Sequence, residues 1–354
     1  MEVRHSVTGD ERRSSVLAGG AEMPGRPGES AARIRRVLAV VVTFGDQGVE
    51  LTDAAVASLT AQDPAAALEI LVVDNGSSPA VVAELERMLR DRARLAAIGV
   101  NRGYAAACNR GLADGLRTGA DAVWLLNNDV SLEAGALDRL VGALEGDEDA
   151  AAAAPATTDM PSGSQVLGAG ADLSLWRGRI RHRHAGEPAS SLPAEPYAVD
   201  VLEGAALLVR TRAVREIGPI DEGFFMYWED TEWSHRARSL GWRLLVVPGA
   251  RVRHHQSMST EPRPRIELMI RNRIRFVRAS GGRLRQVAFV VYLVGAWLPA
   301  YVAFRLVPRF GIRAAFDVAA GALAWNVRDA RARGRWRLRR ADLELPALPG
   351  VARP

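Results

Sequence analysis

Lysine is absent from the 354-residue chain, a pattern typical of GC-rich coding, so all 46 Lys/Arg positions are arginine. The single cysteine, Cys108, excludes an internal disulfide framework and is consistent with a reducing compartment. No Cys-x-x-Cys motif or Cys/His cluster indicates a structural zinc site. The first 30 or so residues are polar, rich in Gly, Ser and Pro, and lack the apolar core of a secretory signal. Residues 1–33 are therefore predicted to form a disordered tail.

Charge is distributed unevenly along the chain. Residues 262–354 contain 19 arginines against 5 acidic residues, a local charge of +14. Because the whole chain carries +5, residues 1–261 must carry −9. An acidic body joined to a strongly basic, partly apolar extension predicts a surface for anionic membrane lipids or nucleic acid. No stacking-aromatic motif accompanies the arginines, so we expect no nucleic-acid partner.

Short apolar runs alternate with helical periodicity from Arg36 onward. Strands are predicted over Val37–Phe44, Glu69–Asp74, Leu95–Val100 and Ala122–Asn127, and helices over Val49–Gln62, Ala80–Arg90 and Tyr104–Arg117. This alternation indicates βαβ units and an α/β fold with a mostly parallel sheet flanked by helices. Ligands of such sheets bind at the carboxyl ends of the strands. The polar strand ends Val73–Ser78, Asn101–Gly111 and Asn127–Asp129 therefore predict a site at one edge.

The βαβ rhythm breaks after about Gly146. The Gly-rich stretch "GSQVLGAGADLSLWRGRIRHRH" predicts an irregular hairpin or acceptor-side loop. Val199–Arg210 is predicted to be a strand, and "TRAVREIG" a short helix with Thr211 as a possible N-cap and Gly218 just past its end.

Acidic residues crowd the first turn of a helix predicted from Glu229 to Gly241. The backbone dipole alone would favour Glu229, Asp230 and Glu232 at a helix N-terminus. The aromatic residues just before them suit stacking of a sugar ring, and they would also raise a carboxylate pKa by desolvation; they are Phe224, Phe225, Tyr227 and Trp228.

Seven short motifs occur in an order that resembles the family-2 glycosyltransferases. They are VVTF, VVDNGS, NRGYAAACNRG, LLNND, EGAALLVR, GPIDEGFFMYWEDTEWSHRAR and VPGARVRHH, and the likeness spans roughly Arg36 to Arg278. Each motif is weak alone, but their common order is specific. The likeness is to the rhamnosyl- and galactofuranosyltransferase branch that builds bacterial surface polysaccharide. It implies a GT-A fold, a nucleotide-diphospho-sugar donor, a divalent metal (Mg²⁺ or Mn²⁺) and inversion at the anomeric carbon.

The resemblance also assigns the donor side of the site. Asp129 matches the last carboxylate of the family's metal motif, and His254 matches a histidine that reaches the metal or the diphosphate. A diphosphate leaving group needs a hard cation, which prefers oxygen ligands. Donor binding is expected of Thr43, Asp74, Asn101, Gly103, Asn109, Asn127 and Asn128. Asp74 would accept from the nucleotide base, unless "DNG" is an ordinary turn; Gly45 stands where the family usually has Asn, so one contact near the nucleotide is missing or replaced.

The catalytic base is expected to be Asp230, which must take the proton of the acceptor hydroxyl. Glu229 would hold acceptor hydroxyls or raise the pKa of Asp230, and Trp228 would support the acceptor. Arg236 is expected to pair with these two carboxylates, in a structural or a direct role. Because strand residues alternate, only one of the neighbours His254 and His255 can face the site.

The segment Val287–Phe304 is 18 residues without a charge, just long enough for a membrane-span candidate. A single span would export the arginines that follow, against the positive-inside tendency, and Pro299 is expected to break the helix. We therefore predict a segment lying in or dipping into the cytoplasmic leaflet. A buried helix pair and a single span are the alternatives. The predicted organisation is a tail (1–33), a transferase domain (34–261) and a membrane-associating helical extension (262–354).

These expectations combine into a metal-dependent, inverting transferase at the cytoplasmic face of the cell membrane. It would move a sugar from dTDP-rhamnose or a UDP-sugar to a lipid-linked or cell-wall polysaccharide acceptor. A sugar-nucleotidyltransferase would need a Gly-rich triphosphate loop with Arg or Lys near the first strand, which "TFGDQGVE" lacks. A noncatalytic nucleotide-sugar-binding protein on the same fold is the second alternative, and the intact Asp129 and Asp230 speak against it.

Overall fold

The computed structural model describes residues 33–255 and 262–333. The predicted tail, up to residue 32, lies outside the described residues, as do residues 334–354 with much of the arginine-rich end.

The predicted alternation of strand and helix is present in the first half of the chain. Its elements are β1 (Arg36–Thr43), α1 (Gly48–Thr60), β2 (Ala67–Asp74), α2 (Pro79–Leu89), β3 (Arg94–Ala97), α3 (Tyr104–Thr118), β4 (Ala122–Asn127), β5 (Val130–Leu132) and α4 (Ala136–Glu145). Local signals set some of these bounds. At the start of α2, the Ser78 side chain accepts from the Val81 amide and Pro79 occupies the first turn, where no backbone N–H is needed.

The second half adds strands to the same sheet. Its elements are β6 (Ala150–Thr158), β7 (Val166–Gly168), β8 (Ala171–Ser174), β9 (Arg179–His182), β10 (Tyr197–Ala198), β11 (Ala206–Arg210), α5 (Thr211–Ile217), α6 (Glu229–Ser239), β12 (Arg243–His254) and α7 (Pro262–Ser280). The main sheet runs β10-β12-β6-β11-β4-β1-β2-β3, and β8 and β9 form a separate hairpin, one of the two alternatives predicted for this stretch. β1 is parallel to β2 and β4, whereas β11 is antiparallel to both its neighbours, so the sheet is mixed.

Two boundaries in this half differ from the prediction. Only Ala206–Arg210 of the predicted strand Val199–Arg210 is in the sheet. The residues before it form a loop with a turn at Gly204–Ala205, where the Ala205 carbonyl still accepts from the Asn127 amide at the end of β4. Arg210, rather than Thr211, is the N-cap of α5, and the Thr211 hydroxyl donates instead to the Ala120 carbonyl.

The apolar run of β1 is continuous because both faces of the sheet are covered. Leu38, Val40 and Val42 enter one core cluster with α3 and α6. Their neighbours Val37, Ala39 and Val41 enter the opposite cluster with α1, α2 and α4. Residues of a strand alternate between its faces, so a strand covered on both sides needs apolar residues at every position.

A third cluster lies beside the sheet and joins the segment before α6 to the C-terminal helices. It includes Phe224 and Trp228, residues of α7, and residues of two further helices. We call these the apolar helix (Arg283–Phe310) and the last helix (Ile312–Arg333).

The apolar helix passes through Pro299, so the expected break is wrong. π-helical turns at Leu293–Trp297 and Val302–Leu306 precede Pro299 and Pro308. Proline has no N–H and its ring clashes with the carbonyl one turn earlier. A π turn shifts the hydrogen-bond pattern by one residue and makes room for the ring, so the helix continues.

Candidate active site

Two residues of backbone connect the end of β4 with the start of α6. The Gly204 amide donates to Asp230 Oδ2 at 3.1 Å, and the Ala205 carbonyl accepts from the Asn127 amide at 3.0 Å. The Tyr104 hydroxyl donates to the Gly204 carbonyl at 2.8 Å, which holds this stretch from the side of α3. Asp230 and the turn that begins at Asn127 therefore lie on either side of Gly204–Ala205.

The carboxylate of Asp129 faces the imidazole of His254. β12 pairs with β5 in the register His254 to Val130, which brings the histidine next to this turn. His254 Nε2 is 3.0 Å from Asp129 Oδ1 and 3.5 Å from Asn127 Nδ2. His255 contributes only its backbone amide, which donates to the Asp129 carbonyl, so a single histidine faces the carboxylate.

The Asp129–His254 pair fits a hard cation that shares its ligands with a substrate. It offers one carboxylate and one imidazole, both common ligands of divalent metals. Within residues 33–255 and 262–333, no group of three or more His, Cys, Asp or Glu side chains could hold a metal ion by itself. A nucleotide-diphospho-sugar would supply the missing oxygen ligands.

Thr43 and Asn128 form a buried polar network at the ends of β1 and β4. Thr43 Oγ1 accepts from Asn128 Nδ2 at 3.1 Å and from the Thr52 hydroxyl at 2.9 Å. A Cβ added at Gly48 would lie 2.5 Å from Thr43 Oγ1, so glycine lets α1 start this close. These contacts are structural, and donor binding by Thr43 and Asn128 stays a prediction.

Asp74 and Asn101 shape the turns that follow β2 and β3. The Asp74 carboxylate is buried and accepts from the amides of Gly76 and Ser77 and from the Ser77 hydroxyl. This is the turn geometry weighed as the alternative for "DNG". Asn101 Oδ1 accepts from the Gly103 amide at 3.0 Å. Contact of either side chain with a nucleotide stays a prediction.

Gly103 and Asn109 contact the segment before α6 rather than an open cleft. A Cβ at Gly103 would lie 2.4 Å from the Phe225 carbonyl, so the close approach that requires glycine here is to protein backbone. Asn109 Nδ2 donates to the Ile220 carbonyl at 2.8 Å, and its Oδ1 accepts from the Ile220 amide at 2.9 Å. Both residues position this segment, and their predicted donor contacts remain untested.

The segment before the Glu229–Asp230 pair has an unusual backbone. Phe225, Tyr227 and Trp228 have φ angles of 65°, 68° and 73°. Each non-glycine residue in the left-handed region costs roughly 1–3 kcal/mol and persists only where the surroundings fix it. We call Phe224–Trp228 the catalytic loop, after the catalytic role predicted for the Glu229–Asp230 pair that follows it. It is followed by Glu229, the first residue of α6.

Trp228, the aromatic residue next to the acidic pair, packs against α7. Trp228 is buried, and its ring lies 5.4 Å from that of Phe276 on α7. This ring is packed against protein, so it does not form the sugar-stacking surface that the aromatic run suggested.

Burial controls the charge state of the acidic pair. Burial, with the neighbouring Asp230 carboxylate as the second cause, raises the pKa of Glu229 to about 8. Burial also raises the pKa of Asp230, opposed by hydrogen bonds from Gly204 and Thr231 that favour its charged form. Glu229 Oε2 is buried and has no hydrogen-bond partner among the described residues.

Arg236 does not pair with Glu229 or Asp230, which corrects the prediction. It binds Glu232, one helical turn earlier, through Nε–Oε1 at 3.0 Å and Nη2–Oε2 at 2.8 Å. The spacing of four residues places these two side chains on one face of α6. Arg236 also donates to the Ile217 carbonyl at 2.7 Å, so it anchors α6 to the end of α5.

The comparisons with known proteins agree with this architecture. The model of glycosyl transferase family 2 matches residues 39–185. The N-acetylglucosaminyl-diphospho-decaprenol L-rhamnosyltransferase of Mycobacterium tuberculosis is 31% identical over 233 residues, covering 59% of this chain and 74% of the relative.

The chain belongs to glycosyl transferase family 2. Among solved structures, GalNAc-T7 with UDP, GalNAc and Mn²⁺ superposes with a TM-score of 0.54 and 15% identity over 78% of this chain, which spans 58% of that protein. The mannosyltransferase PcManGT from Pyrobaculum calidifontis, in complex with GDP-Man and Mn²⁺, gives 0.51 and 15%, covering 87% of this chain and 91% of the other. The predicted family and GT-A fold are confirmed, and the chain is a glycosyltransferase.

Several residues of this family 2 transferase site were not identified from the sequence. Tyr104 and Gly204 lie in two of the motifs on which the resemblance rests, but the sequence assigned no role to either. Their hydrogen bond joins residues 100 positions apart, so no local pattern indicates it. Thr231 donates to Asp230 Oδ1 through its amide at 2.6 Å, and only its place after the acidic pair could have indicated this.

The raised pKa of Glu229 predicts a pH-dependent stability. Between its ordinary value of 4.5 and about 8, the folded transferase keeps a proton that the unfolded chain has released. Stability should therefore fall as pH rises through this window, by up to about 1.4 kcal/mol per pH unit. Glu229→Gln cannot titrate and should flatten the slope. Urea unfolding of both proteins from about pH 5 to pH 8 tests this, and parallel profiles would contradict it.

Proposed function

We propose that this family 2 member is a metal-dependent, inverting transferase. It moves a sugar from a nucleotide-diphospho-sugar, dTDP-rhamnose or a UDP-sugar, to a lipid-linked or surface-polysaccharide acceptor. The observation that carries the proposal is the placement of Asp230 and of the Asp129–His254 pair on either side of Gly204–Ala205. The name of the mycobacterial relative, a rhamnosyltransferase of a diphospho-decaprenol glycan, supports rhamnose and a lipid-linked acceptor.

Asp129 and His254 are the residues that would hold the cation. When bound, Mg²⁺ or Mn²⁺ supplies Lewis-acid neutralisation of the charge that grows on the departing diphosphate. The Mn²⁺ in both structural neighbours supports a divalent metal. Asn127, 3.5 Å from His254, carries no charge and so adds no repulsion toward an anionic donor.

Asp230 is the base that we propose for the acceptor side. Its carboxylate takes the proton of an acceptor hydroxyl while that oxygen bonds to the anomeric carbon and the bond from this carbon to the diphosphate oxygen breaks. The nucleotide diphosphate leaves with that electron pair, and attack from the opposite face inverts the centre. The hydrogen bonds from Gly204 and Thr231 orient the carboxylate, and a pKa raised by burial makes it a stronger base.

The apolar helix supports a location on the membrane surface. By length and composition it is the one helix of the described residues that could cross a bilayer. Its inner residues Phe289, Leu293 and Leu306 are at most 2% exposed and pack in the third core cluster. A spanning helix would have to leave that cluster. We therefore propose that the helix lies along the cytoplasmic leaflet instead.

The outer face of the same helix is apolar and unpacked. Its residues at helical spacing are 54–76% exposed, and they are Leu284, Val287, Val291 and Val294. Trp176, in the turn of the β8–β9 hairpin, is also exposed, with Arg285 5.6 Å from its ring. An apolar stripe flanked by arginine and tryptophan has the chemistry of a membrane–water interface.

The chain organisation is proposed in three parts: residues 1–33, a transferase unit over 34–261, and an extension over 262–354. The first helix of the extension, α7, packs against the catalytic loop through Phe276 and Trp228. We therefore propose that α7 serves the transferase and that the membrane-associating part begins with the apolar helix.

Asp129→Ala should abolish metal-dependent donor binding, because its carboxylate is the proposed oxygen ligand. Transfer should fall by more than about a hundredfold, the scale of losing one strong electrostatic stabiliser. Thermal shift with a panel of nucleotide sugars and Mn²⁺ measures binding, and product formation measures transfer. The matched control Asp53→Ala removes an exposed carboxylate on α1 and should change neither. Activity within a few-fold of wild type would exclude the metal assignment.

Asp230→Asn should keep donor affinity and lose turnover by about 10²- to 10⁴-fold, because the amide has the same shape but cannot take a proton. Isothermal titration with the donor and a transfer assay separate the two effects. A parallel loss of donor binding would indicate that Asp230 binds the donor and that the base lies elsewhere. Turnover near the wild-type rate in this variant would show that another residue is the base, whereas wild-type protein that binds the donor without any transfer would favour a noncatalytic binding function.

Replacing the outer residues with serine (Leu284→Ser, Val287→Ser, Val291→Ser) should weaken binding to anionic phosphatidylglycerol vesicles about tenfold or more, because apolar area no longer enters the membrane. Wild-type protein should sediment with these vesicles and be released by detergent, with salt alone releasing little. The control Leu240→Ser removes an exposed leucine from the end of α6 and should bind like wild type. Wild-type protein that stays in the supernatant would refute the membrane location.

A further inference from the structure

The catalytic loop is held from the side of α7 by one amide side chain. Asn272 Nδ2 lies 2.8 Å from the Phe224 carbonyl, 2.8 Å from that of Met226 and 2.7 Å from that of Tyr227. The side chain is 0% exposed, so water cannot replace these contacts. An asparagine on a C-terminal helix thus satisfies the backbone of the segment that leads into the Glu229–Asp230 pair.

Neighbouring contacts fix the orientation of this amide. Arg271 Nε donates to Asn272 Oδ1 at 2.9 Å, which leaves Nδ2 as the atom that faces the loop. Arg271 Nη2 also donates to the Phe224 carbonyl at 2.8 Å, and its guanidinium lies 4.3 Å from the Trp325 ring centre. The contact with Arg271 therefore orients the Asn272 amide with Nδ2 toward the loop.

The loop needs such a partner because of its backbone. Phe225, Tyr227 and Trp228 are left-handed, a conformation that non-glycine residues keep only when the surroundings fix it. The opposite side of the loop meets α3, where Gly103 packs against Phe225. Asn272 bonds the carbonyls on the α7 side, so the loop is clamped between the two helices.

We propose that Asn272 is a positioning residue for the transfer reaction: it holds the catalytic loop so that Asp230, in the first turn of α6, accepts the hydrogen bond from the Gly204 amide. This inference rests on the proposed role of Asp230 as the base. Asn272 acts only through the loop backbone, since its hydrogen bonds are to loop carbonyls and to Arg271.

Two substitutions remove the clamp to different extents. Asn272→Ala removes the amide donor from three loop carbonyls, of which that of Phe224 keeps its bond from Arg271, and Asn272→Ser keeps one short donor that cannot reach all three. We expect kcat to fall at least about tenfold for Asn272→Ala and less for Asn272→Ser, because the base leaves its productive geometry. The KM for the donor should stay within about twofold, because the Asp129–His254 side is not touched by this amide.

A matched control exists in the last helix. Asn326 is 4% exposed and donates to the Arg271 carbonyl at 3.1 Å, so it also bonds the backbone of α7, but it is not bonded to the catalytic loop. Asn326→Ala should lower the melting temperature about as much as Asn272→Ala while leaving kcat within about twofold of wild type. A general loss of stability would instead reduce kcat equally in both variants.

The test measures kcat, donor KM and melting temperature for wild type, the three asparagine variants and Asp230→Asn. A selective loss of kcat in the Asn272 variants supports the positioning role; if Asn272→Ala does not fold, Asn272→Ser against Asn326→Ala decides. Full kcat in an Asn272 variant, or an equal loss in Asn326→Ala, overturns it. If Asp230→Asn is itself fully active, the proposed base has failed, and this failure is distinct from that of the clamp.

Discussion

The hydrogen bond from the Gly204 amide to Asp230 depends on most of the fold being in place. Gly204 is held by the Tyr104 hydroxyl from α3, and the next residue pairs its carbonyl with the end of β4. Asp230 reaches this amide only because α6 begins where the left-handed catalytic loop ends. Contacts from α3, β4 and α6, with support from α7, therefore converge on the backbone of Gly204–Ala205. This stretch sets the separation between Asp230 and Asp129.

The two sides of the proposed site differ in the number of carboxylates that they bring together. The donor side has one carboxylate beside one histidine, a low negative charge that suits an anionic diphosphate. On the acceptor side, Glu229 and Asp230 are adjacent, and burial raises both pKa values. A carboxylate that is costly to charge readily accepts a proton, while the hydrogen bonds to Asp230 keep its charged form accessible. The strained loop and the buried acids are features that destabilise a fold locally and occur where a reaction needs them.

The C-terminal helices support the catalytic loop and also form the proposed membrane surface. The sequence pattern predicted a single membrane-associating extension. Arg271, Asn272 and Arg273 of α7 bond backbone carbonyls, those of the catalytic loop among them. The apolar helix buries one face in the third cluster and leaves the other exposed. α7 thus lies between the catalytic loop and the proposed membrane surface, which would set the orientation of the site toward a lipid-linked acceptor.

The strands β1–β4, the helices α1–α3, the GT-A class and the family were all predictable from the sequence, whereas β5 and α4 were not predicted. Strand and helix periods and the order of seven motifs are local signals, and β1–β4 and α1–α3 form within a few residues of the predicted bounds. It also predicted Asp129, His254 and the acidic pair as neighbours of strand or helix ends. Only packing between distant segments shows which of the predicted side chains bond or pack within the protein itself. Asn109 bonds the Ile220 carbonyl, Asn128 bonds Thr43, and Arg236 bonds Glu232 on the same helix face. Trp228 packs on Phe276. The same holds for Asn272, whose three acceptors lie about 45 residues earlier in the chain. A motif states which residue types are present, but hydrogen-bond partners are set by packing between distant segments, which no local pattern encodes.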